Sequence, residues 1–289
     1  MEARGVECMK GAILGDIVGS AYESGSRSTP KVGFPLFGAR SRFTDDTVMT
    51  VAVMSALMRG IENLDESEAR RLYGRTFHAF GNMFRHAGYG ARFRTWLDGD
   101  GTEVVDSFGN GAIMRVSPVA WFFDDLDEVE RQAERTTLAT HEHEESRRAA
   151  RAVATTIFLA RRQAGQRILN DTGPAAITRD DLCRRVEQSY GYDLSGTAED
   201  VARTHGFDVT CAGTIPLVFA VFRECTGVED AVRRAVRLGG DTDTNACIAG
   251  ALAEGWFGGV SADLWTPARC FLDPFLVVTV DQFLHAVGA

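Results

Sequence analysis

A chain of 289 residues with 45% hydrophobic content can bury a sizeable core, in one large domain or two modest ones. Its 31 Lys and Arg against 40 Asp and Glu leave a net charge of -9, so no broad basic face is available to displace counterions, and nucleic acid is not expected as a partner. The six cysteines (Cys8, Cys183, Cys211, Cys225, Cys247, Cys270) form no CxxC pair, and neither a signal pattern nor an apolar run of about 20 residues occurs, so a cytoplasmic, membrane-free protein with reduced thiols is expected.

The first element, KGAILGDIVGSAYE, spaces Gly11, Gly15, Gly19 and Glu23 four apart, which predicts a helix with all four near one face. Glycines there let another backbone come close, and Glu23 ends the face with a carboxylate. Residues 24–43, rich in Gly, Pro and Ser, read as a loop. Then FTDDT, residues 43–47, precedes VMTVAVMSALM, which is apolar on all sides and predicts a buried helix.

A helical pattern over residues 65–85 carries Leu72, Phe77 and Phe80, followed by the turn HAGYG and a short helix ending near Leu97. Gly88, Tyr89 and Gly90 offer backbone N–H groups that suit a phosphate, although a helix C-cap explains Gly88 taken alone. In DSFGNGAIMR, residues 106–115, Asn-Gly marks a turn, and Ser107 and Asn110 with freed backbone donors suit a polar ligand at the mouth of a following helix. Residues 124–135 predict a solvated charged helix. THEHEE, residues 140–145, lacks the cysteine or third histidine of a zinc site, so a substrate-bonding or helix-start role is expected for a single histidine there.

Residues 163–206 read as an arm with one amphipathic helix over 180–190. An apolar helix over 214–222 follows, with Pro216 in its first turn, then a helix over 229–238, and one final helix after Asp263. Between the last two lies GGDTDTNACIAGALAEGWFG, where Asp241, Asp243 and Thr244 open an alanine-rich helix. No strand series or internal repeat is visible, so the fold class is all-α.

The DTDT run alone fits a helix N-cap as well as a cation site. Two such clusters, Thr44/Asp45/Asp46 and Asp241/Asp243/Thr244, stand at the starts of two small or apolar helices. Four carboxylates gathered in a buried place repel one another unless cations intervene. Hard oxygen donors without His or Cys point to a pair of Mg2+ or Mn2+ ions, with two independent N-caps as the alternative.

GAILGDIVGSAYE, FTDDTVMT, HAGYGARF, SFGNGAIMRVSP, THEHEESRRAARAV and GGDTDTNACIAGALAEGWFG, in that order, resemble the ADP-ribosylglycohydrolase family over nearly the whole chain. The resemblance implies a compact all-α fold with residues 1–289 as one domain, expected to be monomeric, with two Mg2+ or Mn2+ ions in a cleft. It implies hydrolysis at C1″ of ADP-ribose attached to a protein side chain or a small molecule. By position, Thr44, Asp45, Asp46, Asp241, Asp243 and Thr244 would be metal ligands. Glu23 matches a mobile glutamate beside them, and Glu23, Asp45 or Asp46 would orient or deprotonate the attacking water. Gly88, Tyr89 and Gly90 with Ser107, Phe108, Gly109 and Asn110 match segments that hold diphosphate and distal ribose, and His141 matches a substrate contact.

Two departures from the pattern are Glu144, where a proline commonly follows the second histidine, and Asp106, where a small residue commonly precedes Ser107. Both bear on substrate shape or charge preference and leave the metal motifs intact. A nucleotide phosphohydrolase using the same carboxylates, or a non-catalytic ADP-ribose-binding protein, is the alternative function.

Overall fold

The computed structural model describes residues 9–23, 30–168 and 176–288. Cys8, the first part of the expected loop (24–29) and part of the expected arm (169–175) lie outside the described residues. The chain forms α1 (Gly11–Gly19), α2 (Asp45–Leu57), α3 (Glu66–Met83), α4 (Ala91–Asp98), α5 (Val119–Phe122), α6 (Leu126–Arg135) and α7 (Glu144–Ile168). It continues with α8 (Arg179–Tyr190), α9 (Ala198–His205), α10 (Cys211–Glu224), α11 (Val228–Leu238), α12 (Thr242–Phe257), α13 (Ala262–Arg269) and α14 (Pro274–Ala286). Among the described residues the sole β feature is an isolated bridge between Gly109 and Thr210, so the all-α expectation holds.

Helix α12 is the core element: every residue from Thr242 to Gly255 is buried, and α1, α7, α10 and α11 pack around it. Small residues make this possible. Gly11, Gly15 and Gly19 of α1 lie against Gly250, Ala246 and Thr242 of α12, two antiparallel rows stepping by four residues. A β-carbon on any of the three glycines would overlap backbone atoms of α12. The first N–H groups of α1, from Lys10 and Gly11, donate to Glu254 Oε1 and Oε2 at 2.9 Å each, so α12 supplies the cap that α1 lacks in its own sequence.

Several expectations need correction. Helix α1 stops at Gly19, so Glu23 does not continue its glycine face and instead stands on the turn beyond it. Helix α10 begins at Cys211, capped by the Thr210 hydroxyl, which places Pro216 at its sixth position. The ring there removes one intrahelical bond, a loss the surrounding buried apolar side chains outweigh. Within residues 163–206 a second helix, α9, is capped by Thr197. After Asp263 there are two helices, with Pro267 inside α13 and Pro274 at the first position of α14. The charged segment 124–135 is solvated on one side only, because Val129, Gln132 and Ala133 are buried. No helix among the described residues is long and apolar enough to cross a membrane.

Candidate functional site

The close α1/α12 contact brings the start of α12 against the start of α2. Thr44 is the N-cap of α2, its Oγ1 accepting the Asp46 N–H at 3.3 Å. Asp241 occupies the N-cap position of α12 but makes no side-chain cap, and Asp243 and Thr244 lie inside the helix. The cap reading therefore holds for Thr44 and fails for Asp243 and Thr244. Across the junction, Thr244 Oγ1 donates to Asp46 Oδ2 at 3.3 Å.

Asp16, which sequence reasoning passed over, holds this junction from below. Its carboxylate accepts the Thr44 N–H (2.9 Å), the Thr44 hydroxyl (2.6 Å), the Thr47 N–H (3.1 Å) and the Thr47 hydroxyl. Four donors, among them two orphan N–H groups of a helix start, make Asp16 the anchor of α2. A lone carboxylate in an otherwise apolar, glycine-spaced helix was the available signal.

The carboxylates form two overlapping groups. Asp16, Asp46 and Asp243 each bring one oxygen within 4.8 Å of the others, and so do Glu23, Asp241 and Asp243. Burial, followed by neighbouring carboxylates, raises the pKa of Asp46 and Asp243 well above the usual range. Burial and then Asp16 push Asp45 to about 8. Burial and then Asp241 raise Glu23, whose side chain is 39% exposed and 3.7 Å from Arg42. Among the described residues Asp45, Asp46, Asp241 and Asp243 have no ion pair, and buried Asp46 Oδ1 has no hydrogen-bond partner. An oxygen-only donor set, short of positive charge and with an orphaned carboxylate oxygen, fits a hard divalent cation.

Glu23, Asp45, Asp46, Asp241 and Asp243 line a cleft of about 360 Å³, with Asp16 behind it. The Gly88–Gly90 turn and the start of α4 line it as well. Gly88 has φ +115° and is no helix cap, since α3 ends at Met83. A β-carbon at Gly88 would stand 3.3 Å from Asp45 Oδ1, and Asp45 N–H donates to Ala87 O at 2.9 Å, which ties this turn to α2. No side chain caps α4. Tyr89 is buried and stacks on Phe93 at 5.0 Å.

Ser107, Asn110 and His141 also line the cleft. Asn110 does more than the expected turn: its Nδ2 donates to Asp241 Oδ2 at 2.7 Å and to Thr214 Oγ1 at 3.2 Å. The helix expected after this turn is a single 3-10 turn, Asn110–Ala112. Burial and then Arg115 drive the His141 pKa well below the usual range, so the ring is neutral. His143 faces elsewhere, with Nδ1 accepting the Glu145 N–H at 3.1 Å.

Thr44, Phe108 and Gly109 lie outside the cleft lining. Phe108 is 43% exposed on the rim between Arg92 and His143, and Gly109 bridges to Thr210. Glu144 and Asp106 are exposed and line nothing in the cleft. Glu144 is the first residue of α7, a position that suits proline and acid equally. Lining residues that sequence reasoning missed include Met49, Phe93, Trp96, Arg115, Phe207 and Val209.

Residues 1–266 match the family model described as ADP-ribosylglycohydrolase. The chain is similar to the ADP-ribosylhydrolase ARH3 of Gallus gallus, 24% identical over 316 residues, covering 87% of this chain and 84% of that protein. It is equally similar to the ADP-ribosylhydrolase ARH3 of Homo sapiens, 24% identical over 309 residues with the same coverage. Among solved structures, an "ADP-ribosylglycohydrolase-related protein complex" superposes with a TM-score of 0.62 at 25% identity, covering 96% of this chain and 95% of that one.

Proposed function

The chain belongs to the ADP-ribosylglycohydrolase family and hydrolyses ADP-ribose linkages, and from that premise we propose that it depends on two Mg2+ or Mn2+ ions and cuts the bond at C1″ of the ribose. The acceptor would be a protein side chain, such as arginine or serine, or a small-molecule conjugate. The observation that carries the proposal is the pair of overlapping carboxylate groups that share Asp243, in which only the outermost member, Glu23, meets a protein cation, Arg42 at 3.7 Å. Asp46, Asp241 and Asp243 of these groups, with Thr244 beside them, are the residues that would hold the ions; Asp45 lines the cleft outside both groups, and Thr44 stands behind the lining with its hydroxyl on Asp16. When bound, divalent ions supply positive charge and Lewis acidity beside the sugar.

The chain's own residues would divide the remaining work. The uncapped start of α4 and the Gly88–Gly90 turn present backbone donors suited to a diphosphate. Neutral His141 donates a hydrogen bond to the bound sugar or phosphate. Glu23 is the base best placed to orient or deprotonate water, since it stands at the open edge, its pKa is raised, and Asp46 and Asp241 are engaged by hydroxyl and amide donors. Reacting groups fixed on α2 and α12 cost little to orient.

The test is a panel of arginine-, serine- and glutamate-linked ADP-ribosylated peptides, incubated with Mg2+ or Mn2+ and again after exhaustive chelation, with products weighed by mass spectrometry. Free ADP-ribose that disappears on chelation supports the proposal. Undiminished release without metal, or inorganic phosphate as the product, rejects it.

A further inference from the structure

Arg115 is the largest fully buried side chain among the described residues, and it lines the cleft. Its guanidinium lies 4.3 Å above the Phe77 ring, and none of its contacts is a carboxylate. Buried cations are ordinarily paired, so an unpaired one in a substrate cleft calls for an explanation. Burial lowers its pKa to about 9, which leaves it charged at neutral pH.

One nitrogen, Nη2, reaches three acceptors: Thr136 O at 3.1 Å, Thr140 Oγ1 at 2.8 Å and His141 Nδ1 at 3.3 Å. Thr140 Oγ1 is in turn 2.9 Å from His141 Nδ1. A guanidinium only donates. Thr140 Oγ1 must therefore accept from Arg115, and its own proton is free to go to Nδ1. A proton on Nδ1 would face the guanidinium, which has no lone pair to receive it. Nδ1 is thus an acceptor, and the ring proton belongs on Nε2, which lies against Gly111 of the cleft wall, with Gly109 behind it.

We propose that Arg115, with Thr140, is a positioning residue for ADP-ribose: it fixes His141 as the neutral Nε2–H tautomer and so aims one hydrogen-bond donor at the ligand. This rests on the reading of the cleft as an ADP-ribose site. The groups facing the pair are few. Tyr73 of α3, Cys211 of α10 and Asp45 of α2 act on Arg115, and Arg115 is the charged group acting on His141. Neighbouring Glu142 is engaged by Arg70 and Arg147 and is directed away.

The experiment is nitrogen-15 NMR of the imidazoles in the full chain, with His141 assigned by Arg- and Thr-intact His141→Gln, from pH 8 down to pH 5. The expected wild-type result is a single Nε2–H form of His141 that does not titrate over this range. An Nδ1–H form, or an imidazolium at pH 7, overturns the proposal without any variant. In Arg115→Met and Arg115→Gln the ring is expected to mix tautomers and to gain a proton at higher pH than in the wild type. Their ADP-ribose affinity, by calorimetry, is expected to fall about tenfold, the loss of one well-aimed donor. Arg115→Lys, which retains a cation, is expected to recover the neutral ring. Folded variants with unchanged tautomer and titration also overturn it. If wild-type protein binds no ADP-ribose, the ligand reading fails while the tautomer result stands or falls on its own spectrum.

Discussion

Thr244 Oγ1 lies 3.3 Å from Asp46 Oδ2, a hydrogen bond between residues 198 apart in sequence, made where the first turns of α2 and α12 touch. The contact exists because the glycine row of α1 lets α12 come close and because Asp16 holds α2 from the other side. It fixes one oxygen of Asp46 on protein donors and leaves Oδ1 buried and unpartnered.

Asp46→Asn tests this division directly. The amide keeps the shape, removes a carboxyl that burial and its acidic neighbours make costly to ionise, and weakens any cation site. Without metal the variant is expected to melt higher than wild type, by about 2 to 4 °C for each kcal/mol of that cost relieved. It should lose the rise in melting temperature that Mg2+ or Mn2+ gives the wild type. Release of ADP-ribose should fall by about 100-fold or more. A variant whose metal-dependent stabilisation equals that of wild type would contradict the assignment of Asp46.

The raised carboxylates also set a pH dependence. Asp45, ordinarily 3.8, is pushed up to about 8, and Asp16, Asp46 and Asp243 shift in the same direction. Below pH 4 these groups are protonated in folded and unfolded chains alike, and their contribution to stability is fully present. As pH rises the unfolded chain releases protons that the folded chain retains, so stability is lost progressively until the folded pKa is passed. His141, lowered from 6.5, acts in the opposite sense at acid pH. Between about pH 6.5 and 8 the chelated protein should therefore melt lower with each step up in pH, and saturating Mg2+ or Mn2+ should flatten the curve. A flat profile in the chelated protein would show that these groups stay ionised.

Both acidic clusters and the glycine row were legible because they are local patterns: TDDT and DTDT announce helix starts, and four-residue spacing announces a face. What escaped sequence reading depends on tertiary placement. Asp16 and Arg115 are single charges in apolar runs, and nothing local says which donors or rings will surround them. Pro216 misled because a proline usually opens a helix, whereas here burial of Ile215, Leu217, Val218 and Phe219 carries the helix through it. Glu23 kept its place at the site although its helix ends four residues earlier.

The close packing of α1 on α12 predicts opposite outcomes for two glycines. At Gly15 a methyl group would overlap the Ala246 carbonyl and the Cys247 nitrogen, which are main-chain atoms that cannot rotate away. Gly15→Ala is expected to cost about 3 kcal/mol or more, the upper range of overpacking, and to misplace Asp243 and Thr244 along with α12. At Gly165 of α7 a β-carbon meets nothing within 4 Å. Gly165→Ala should stabilise the chain by roughly 0.5 to 1 kcal/mol through the loss of unfolded-state freedom. Urea unfolding of the two variants measures both, and equal effects would argue against the close contact.

Glu23 is the acidic residue of the cleft with the most solvent access, beside Asp241 and Asp243 and 3.7 Å from Arg42. Its carboxylate meets Asp243 and Arg42 at an exposed position, whereas Asp46 is buried and accepts from Thr244. Glu23→Gln keeps the size and the hydrogen-bonding reach and removes the basic oxygen. Turnover should drop by about 100- to 10,000-fold, the range for loss of a positioned general base. ADP-ribose affinity should change by no more than about threefold, since the amide keeps the shape and the hydrogen-bonding reach of the side chain. Pre-steady-state release and equilibrium calorimetry separate the two quantities. Unchanged turnover would pass the role to Asp45, whose pKa of about 8 leaves it protonated at neutral pH until a cation lowers it.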